Sequence, residues 1–238
     1  MSLNTLGNSL GFGIKKEYSQ QSPGISDAVK NLVEQNNITI EVYNPSDFPE
    51  YEMQEVINVI RSGFGVKVGD NDIKSHIFKS THIYIIKNNG IIIGFSSIII
   101  INGFVYRFGT SISKEQQGKG LYKILGEKIG NDGKYFLRTQ NQNIINSLKK
   151  QGFTVLLGED AYDFLLNNGM IEEELNYFFT NLDGGKKCLE KGLFKGVYGG
   201  PMGNKQNVRF VDENFYPGFN YENGDSLLVA YYKNEKYV

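Results

Sequence analysis

Two asparagine–glycine turns inside a long β-branched stretch constrain this chain more than any other feature. The run H-I-Y-I-I-K ends at Asn88-Asn89-Gly90, I-I-I-G-F-S-S-I-I-I-I follows, and Asn102-Gly103 ends that run in turn. Asn-Gly accommodates the positive φ angles of a tight hairpin, so each pair marks a reversal between antiparallel strands. Three consecutive antiparallel strands are therefore expected, the third from Phe104 to Ser113. The run from Ile91 to Ile101 is broken by Gly94, Ser96 and Ser97 and is shorter than the roughly 20 residues of a membrane span. It reads as a buried strand, and no membrane partner is expected.

Elements of the other period flank this meander. Ile38 to Tyr43 (I-T-I-E-V-Y) alternates with period two and is a half-buried strand. Met53, Val56, Ile57 and Ile60 recur at helical spacing and stop at Gly63; a second helix runs from about Asp70 to Lys79. Leu121, Ile124, Leu125 and Ile129 make a helix that starts at Gly120. Tyr135 to Thr139 is a strand, Ile144, Ile145 and Leu148 a short helix stopped at Gly152, and Phe153 to Leu157 another strand. The order β-α-α-β-β-β-α-β-α-β predicts an α+β fold with a mixed sheet. Beyond it, Tyr162 to Phe179 is helical in pattern, 184–207 is glycine-rich, and Ser226 to Tyr232 is a closing strand. Residues 1–36 form an N-terminal extension with one helical candidate, Ser26 to Gln35. A core over 37–158 and a C-terminal extension over 159–238, completing or capping the sheet, follow.

Composition excludes several function classes. With 25 basic and 26 acidic side chains in 238 residues, the chain lacks the basic excess of a nucleic-acid surface. The single cysteine, Cys188, permits no internal disulfide and no thiolate cluster for zinc, and His76 and His82 are too few for a multi-histidine metal site. No basic start followed by an apolar stretch opens the chain, so no signal peptide is expected. A cytoplasmic monomer or homodimer is the expectation.

The stretch I-S-K-E-Q-Q-G-K-G-L, 112–121, joins the end of a strand to the start of a helix. The first N–H groups of a helix have no intrahelical partner, and the helix dipole adds partial positive charge there. Gly118 and Gly120 leave that end open to a phosphate and Lys119 adds a cation; an ordinary tight turn is the competing reading. The stretch is neither a Walker loop nor a three-glycine dinucleotide fingerprint.

At this point the chain resembles the GNAT superfamily of acetyl-CoA-dependent N-acetyltransferases. E-Q-Q-G-K-G, Glu115 to Gly120, matches the signature Q/R-x-x-G-x-G/A, with Glu115 in place of Gln or Arg. N-N-G-I-I-I-G-F-S-S resembles the family hairpin. Ser111-Ile112-Ser113 falls at the end of the splayed fourth strand, whose backbone pairs with pantetheine. N-Q-N-I-I-N-S-L-K-K-Q-G-F resembles a later segment in which Asn141 matches the family asparagine. The resemblance covers about 38–158. It implies a GNAT-like fold, a mixed, mostly antiparallel sheet flanked by helices, with acetyl-CoA as co-substrate. It assigns Ser111, Ile112, Ser113, Gln117, Gly118, Lys119, Gly120, Leu121 and Asn141 to that ligand, and implies acetyl transfer to a primary amine of a small molecule or protein.

Acetyl transfer to an amine needs a neutral amine, a donor to the thioester oxyanion, alignment of the reactants, and a proton for the leaving thiolate. A backbone N–H near Ile112 suits the oxyanion. The family's tyrosine acid aligns with Leu148, so Ser147, Tyr122 and Tyr106 are the substitute candidates. No glutamate lies on Val105 to Ser111, which leaves Glu159, Asp160, Glu41 or a water chain as base. Tyr106 and Tyr135 read first as sheet-packing aromatics, His76 and His82 as surface or satisfied core residues, and Asn141 and Asn143 as helix caps, the cap reading being preferred for Asn143. A catalytically weak or inactive acyl-CoA-binding protein of the same fold is the alternative, and an interaction module built on the glycine- and aromatic-rich tail is a third reading.

Overall fold

The computed structural model describes residues 37–65, 68–130, 133–182, 192–203 and 208–233, with Asp27, Val33 and Glu34. Most of the N-terminal extension, including most of the helical candidate at 26–35, and Cys188 lie outside the described residues. β1 (Ile38–Tyr43) leads through two short 3-10 turns to α1 (Met53–Phe64) and α2 (Asp70–Phe78). The meander follows as β2 (His82–Asn88), β3 (Ile91–Ile101) and β4 (Phe104–Ile112). Both of its turns use the positive φ expected of Asn-Gly, 49° and 81° at Asn89-Gly90 and 48° and 78° at Asn102-Gly103. Next come α3 (Leu121–Ile129), β5 (Lys134–Thr139), α4 (Gln142–Lys150) and β6 (Thr154–Leu157).

The run expected as one helix over Tyr162 to Phe179 is two, α5 (Gly158–Asn167) and α6 (Glu172–Leu182). The break falls at Gly169, whose φ of 105° no helix accommodates. β7 (Leu193–Phe194) and β8 (Ser226–Tyr232) complete the eight-stranded sheet.

Strand order is β1-β2-β3-β4-β5-β8-β6, with β7 also on β8. All pairings are antiparallel except β4 with β5, which is parallel. β8 lies between β5 and β6, so residues 226–232 are central to the sheet although they stand far past 158 in sequence. A core bounded at 158 leaves out the strand that joins its last two strands.

Side chains alternate across the sheet as the period of two dictates. On one face α1 and α2 cover Ile83, Ile85 and Phe95. Further along that face α5 and α6 cover Tyr106, Phe136, Leu228 and Ala230. On the other face α3 and α4 cover Tyr84, Leu137, Val229 and Tyr231. Two β-bulges interrupt the alternation: Ile93 is extra against β2, and Phe108 is extra against β3. A bulge bends its strand and re-aims the side chains after it. Here the second one lies where β4 parts from β5.

α1 approaches β4 closely because Gly63 has no side chain. A Cβ there would overlap Ser111 Oγ and the Ile112 carbonyl oxygen. Ser111 Oγ donates instead to the Val59 carbonyl of α1 at 3.2 Å.

Candidate functional site

β4 and β5 pair only from Phe104–Arg107 to Lys134–Leu137. Past these residues the strands diverge, and a cleft of about 680 Å³ opens between them. That volume lies in the range of small-molecule sites. Its walls are the free half of β4, the end of β5, the glycine turn before α3, the first turns of α3 and α4, and one side of α1 and α2. Tyr198, Met202, Gly203 and Val208 from the C-terminal extension close it.

At the outer end, the glycine turn leads from the end of β4 into α3. Gly118 and Gly120 both have φ of 80°, and a Cβ on Gly118 would meet nothing within 4 Å. Gly120 caps α3 without a side-chain bond, so the first amides of the helix precede its hydrogen-bonded ladder. Gln117 Nε2 donates to the carbonyls of Gly63 and Ile112, each at 3.1 Å, and ties this turn to α1 and β4. Its side chain is therefore a brace for the turn. Lys119 is exposed and donates to Gln116 Oε1 at 2.9 Å. Glu115, the departure from the family signature, is exposed on a 3-10 turn and does not line the cleft.

Along β4, Ser113 N–H donates to the Ile93 carbonyl, on the β3 side. The Ile112 carbonyl faces the other way, toward Gln117. Alternation along a strand then directs the N–H groups of Thr110 and Ile112 to the open side. Ser111, Ile112, Gln117, Gly118, Gly120, Leu121 and Asn141 all line the cleft, whereas Ser113 and Lys119 do not. Asn141 is also the cap of α4: its Oδ1 accepts from Asn143 N–H at 2.9 Å. Of the two asparagines readable as caps, Asn141 and not the preferred Asn143 takes that place, because Asn141 has the extended backbone (φ −100°, ψ 105°) that a capping residue requires.

Of the three candidate proton donors, Ser147 and Tyr122 line the cleft and Tyr106 does not. Tyr106 is buried among Phe136, Phe178 and Phe179, and its oxygen accepts from Arg138 Nε at 3.1 Å. Ser147 Oγ accepts from Gln151 Nε2 at 3.0 Å. Burial raises the Tyr122 pKa, with Arg107 opposing it, so its hydroxyl stays protonated. Leu148 is 1% exposed and part of the core. Glu41, Glu159 and Asp160 do not line the cleft; Glu41 is engaged by Lys87 at 2.6 Å and by Tyr43.

Three lining side chains had not been singled out from sequence as site residues. Arg107 is 5% exposed, its Cζ lies 4.4 Å over the Tyr122 ring, and its Nη2 donates to Thr110 Oγ1 at 3.3 Å. Burial works against its charge, but Tyr122 and Tyr231 more than offset this, so it remains a guanidinium. Arg138 stands over the rings of Phe179 and Phe194. His76, on α2, stacks on Phe108 with centroids 3.4 Å apart and meets Ser97 Oγ at 3.2 Å. Burial, then Arg138 and Lys79, pull its pKa down to about 3, so the imidazole is neutral. The available signal was an arginine inside each of two apolar strands, V-Y-R-F and F-L-R-T. Among the described residues no cluster of three or more His, Cys, Asp or Glu could hold a metal, and no helix is long and apolar enough to cross a membrane.

No family model and no curated protein matches this chain. Solved structures do. The ribosomal-protein-S18-alanine N-acetyltransferase of Escherichia coli is similar at 9% identity and a TM-score of 0.46, over 82% of this chain and 93% of that one. The IAA acetyltransferase of Bacillus cereus is similar at 13% identity and a TM-score of 0.41, over 81% and 97%. Arabidopsis thaliana Naa50, in complex with the bisubstrate analogue CoA-Ac-MVNAL, is similar at 16% identity and a TM-score of 0.38, over 50% and 87%. All three TM-scores lie below 0.5. The chain's own eight-stranded sheet is the mixed, mostly antiparallel sheet flanked by helices that the resemblance to the GNAT superfamily implies.

Proposed function

We propose that this protein is an acyl-CoA-dependent N-acyltransferase, with acetyl-CoA as the donor and a primary amine as the acceptor. The observation that carries this reading is the open edge of β4: it starts where β5 departs at Arg107 and ends at an amide-lined glycine turn. A pyrophosphate fits at Gly118 and Gly120, where no side chain intrudes and the first amides of α3 are available. A pantetheine arm fits along the Thr110 and Ile112 backbone, whose N–H groups face the cleft. The same donors suit a developing oxyanion.

In the transfer the amine nitrogen bonds to the thioester carbon, the C–S bond breaks, and the nitrogen's proton passes through water to the departing thiolate. With a thiol pKa of about 8.5, that thiolate needs little help to leave. The amine must arrive neutral. His76, with its pKa near 3, does not hold a proton taken from an ammonium at neutral pH. The apolar wall of Ile60, Phe64, Ile73 and Phe95, together with two guanidiniums, instead disfavours the ammonium form of a bound amine. A dedicated base is then unnecessary.

Calorimetry with acetyl-CoA and CoA tests the binding half of this reading; no heat with either at high micromolar protein rejects it. Gly120→Ala controls for the strain any side chain meets at φ of 80°, and Gly120→Glu adds a charge against the phosphates. Glu should lose at least tenfold more affinity than Ala, and equal losses refute the phosphate role. Mass spectrometry of an amine and peptide panel tests transfer. A second reading, an acyl-CoA binder without transfer, is favoured by Leu148 lying in the core and by Asp72 being the one carboxylate that lines the cleft among the described residues. Binding without any acylated product selects it.

A further inference from the structure

The run I-I-I-G-F-S-S-I-I-I-I on β3 sets two serines among isoleucines, and both are 0% exposed. A buried hydroxyl is unfavourable unless it finds partners. Ser97 meets His76; Ser96 stands opposite Thr110 of β4. The Ser96 hydroxyl donates to the Gly109 carbonyl at 3.1 Å and lies 2.8 Å from Thr110 Oγ1. A serine has one hydroxyl proton, so with that proton on Gly109 it is Thr110 that donates to Ser96. Thr110 Oγ1 in turn accepts from Arg107 Nη2 at 3.3 Å. The bonds run one way, from the guanidinium through Thr110 and Ser96 to the Gly109 carbonyl, and they bridge the bulge at Phe108. Thr110 lines the cleft and Ser96 does not. The Gly109 carbonyl belongs to the same peptide as the Thr110 N–H, and in a trans peptide the two point opposite ways. Holding the carbonyl toward β3 therefore holds the N–H toward the open side of β4. From α2, His76 closes over Gly109, where a Cβ would lie 2.8 Å from Nε2.

We infer that this relay aims and polarises the Thr110 N–H as the donor to the thioester oxyanion, and that Ser96, which touches neither reactant, is a positioning residue for acyl transfer, an inference that rests on the acyl-CoA reading above. Hydrogen bonds in series strengthen one another, by about 10–30% per bond. The bond accepted by the Gly109 carbonyl draws charge from that amide, and a guanidinium heads the series. The Thr110 N–H thereby meets developing negative charge as a stronger and better fixed donor than an isolated strand amide. The Ile112 N–H faces the same side, but the Ser111 hydroxyl beside it turns away to the Val59 carbonyl of α1. Thr110 also stands two residues nearer to Arg107, where β5 departs. That is the end reached by the acyl group of a ligand whose pyrophosphate sits at Gly118 and Gly120.

The test uses the full chain, acetyl-CoA and the best amine from the panel above. Ser96→Ala cuts the relay at a residue outside the cleft; Thr110→Val keeps the side chain's shape without its hydroxyl. Removing an oxyanion donor outright lowers kcat by about 10²–10³, so releasing one from its relay should lower the single-turnover rate by about tenfold in either variant. The CoA dissociation constant of Ser96→Ala, by calorimetry, should stay within about twofold of the parent, because the relay acts on the reacting carbonyl and not on cofactor affinity. Thr110→Ser, which keeps the hydroxyl, should recover most of what Thr110→Val loses. Carbon-13 NMR of carbonyl-labelled acetyl-CoA, bound without amine, reads the hydrogen bond itself. The carbonyl resonance should lie downfield in the parent and return at least halfway to its free position in Ser96→Ala. Should Ser96→Ala fail to fold, the valine and serine variants at 110 give the same two readouts. An unchanged rate and an unchanged resonance overturn the inference and leave the acyl-CoA reading standing. A loss of CoA affinity as large as the loss of rate overturns it too, by making the relay a support of the groove alone. A parent that binds acetyl-CoA without transfer sinks the positioning role while keeping the binder reading. If calorimetry detects no CoA binding at all, both fail together.

Discussion

Asp225 is the buried residue on which the C-terminal wall of the cleft depends, and its replacement has a calculable effect. It is 1% exposed. Its Oδ1 accepts from Gly196 N–H, and its Oδ2 accepts from Asn220 N–H and Lys195 Nζ, each at 3.0 Å. These bonds gather three points of the extension: the residues after β7, the turn at Asn220, and Asp225 itself, which leads directly into β8. Gln140, at the end of β5, adds bonds to the Asp225 carbonyl at 2.8 Å and from Met202 N–H at 2.7 Å. Asp225→Ala leaves two backbone amides without acceptors at about 1–3 kcal/mol each. The Lys195 pairing adds less, since that side chain is 33% exposed and screened. A total near 3–5 kcal/mol corresponds to a melting temperature lower by about 10 °C in a chain of this length. Circular dichroism melting measures it. Asp225→Asn keeps one acceptor oxygen and should lose less than half as much. An Asp225→Ala protein melting within about 2 °C of the parent refutes the reasoning, and an Asn variant as damaged as Ala shows that the charge, not the amide pairing, dominates.

Three more outcomes follow from the same geometry. His76 has a folded pKa far below its unfolded value, so the unfolded chain binds the extra proton; its stabilising contribution is complete above about pH 6.5 and is lost as pH falls toward about 3. Denaturant titrations of the parent and His76→Gln over that window should differ in slope by up to one proton, and parallel curves sink the assignment. Gly63→Ala should cost about 1–3 kcal/mol in urea unfolding, because its Cβ meets Ser111 Oγ and backbone at Ile112; a neutral effect means α1 can move off β4 freely. Leu148→Tyr should destabilise the core without raising any transferase rate, since position 148 does not line the cleft; a rate gain in the CoA-release assay contradicts that.

Local chemistry carried much of this fold into the sequence. Ile38–Tyr43 and Ser226–Tyr232 were legible to the residue because alternation or continuous apolarity ran between clear breakers. The meander was legible because Asn-Gly permits little else. The two bulges were not, since an extra residue is defined only by the partner strand opposite it. Nor was the place of β8, because pairing with β5 and β6 is a long-range choice that the strand's own residues do not express. The split between α5 and α6 was signalled by Asn168-Gly169 but outweighed by apolar residues continuing on both sides. In the site, the glycine turn was readable from its neighbours, while Arg107, Arg138 and His76 come together only once β4 and β5 diverge beneath α2.

The position of β8 also sets when the protein can become itself during synthesis. Until residues 226–232 leave the ribosome, β5 and β6 present facing rows of unsatisfied amides with an empty lane between them. Such exposed lanes accept any extended segment, including one from a neighbouring nascent chain. The wall that carries Tyr198 and Met202 is anchored through Asp225 at the mouth of that lane. A partly made chain therefore has the glycine turn before α3 but no finished cleft, whose C-terminal wall is added only when β8 is in place.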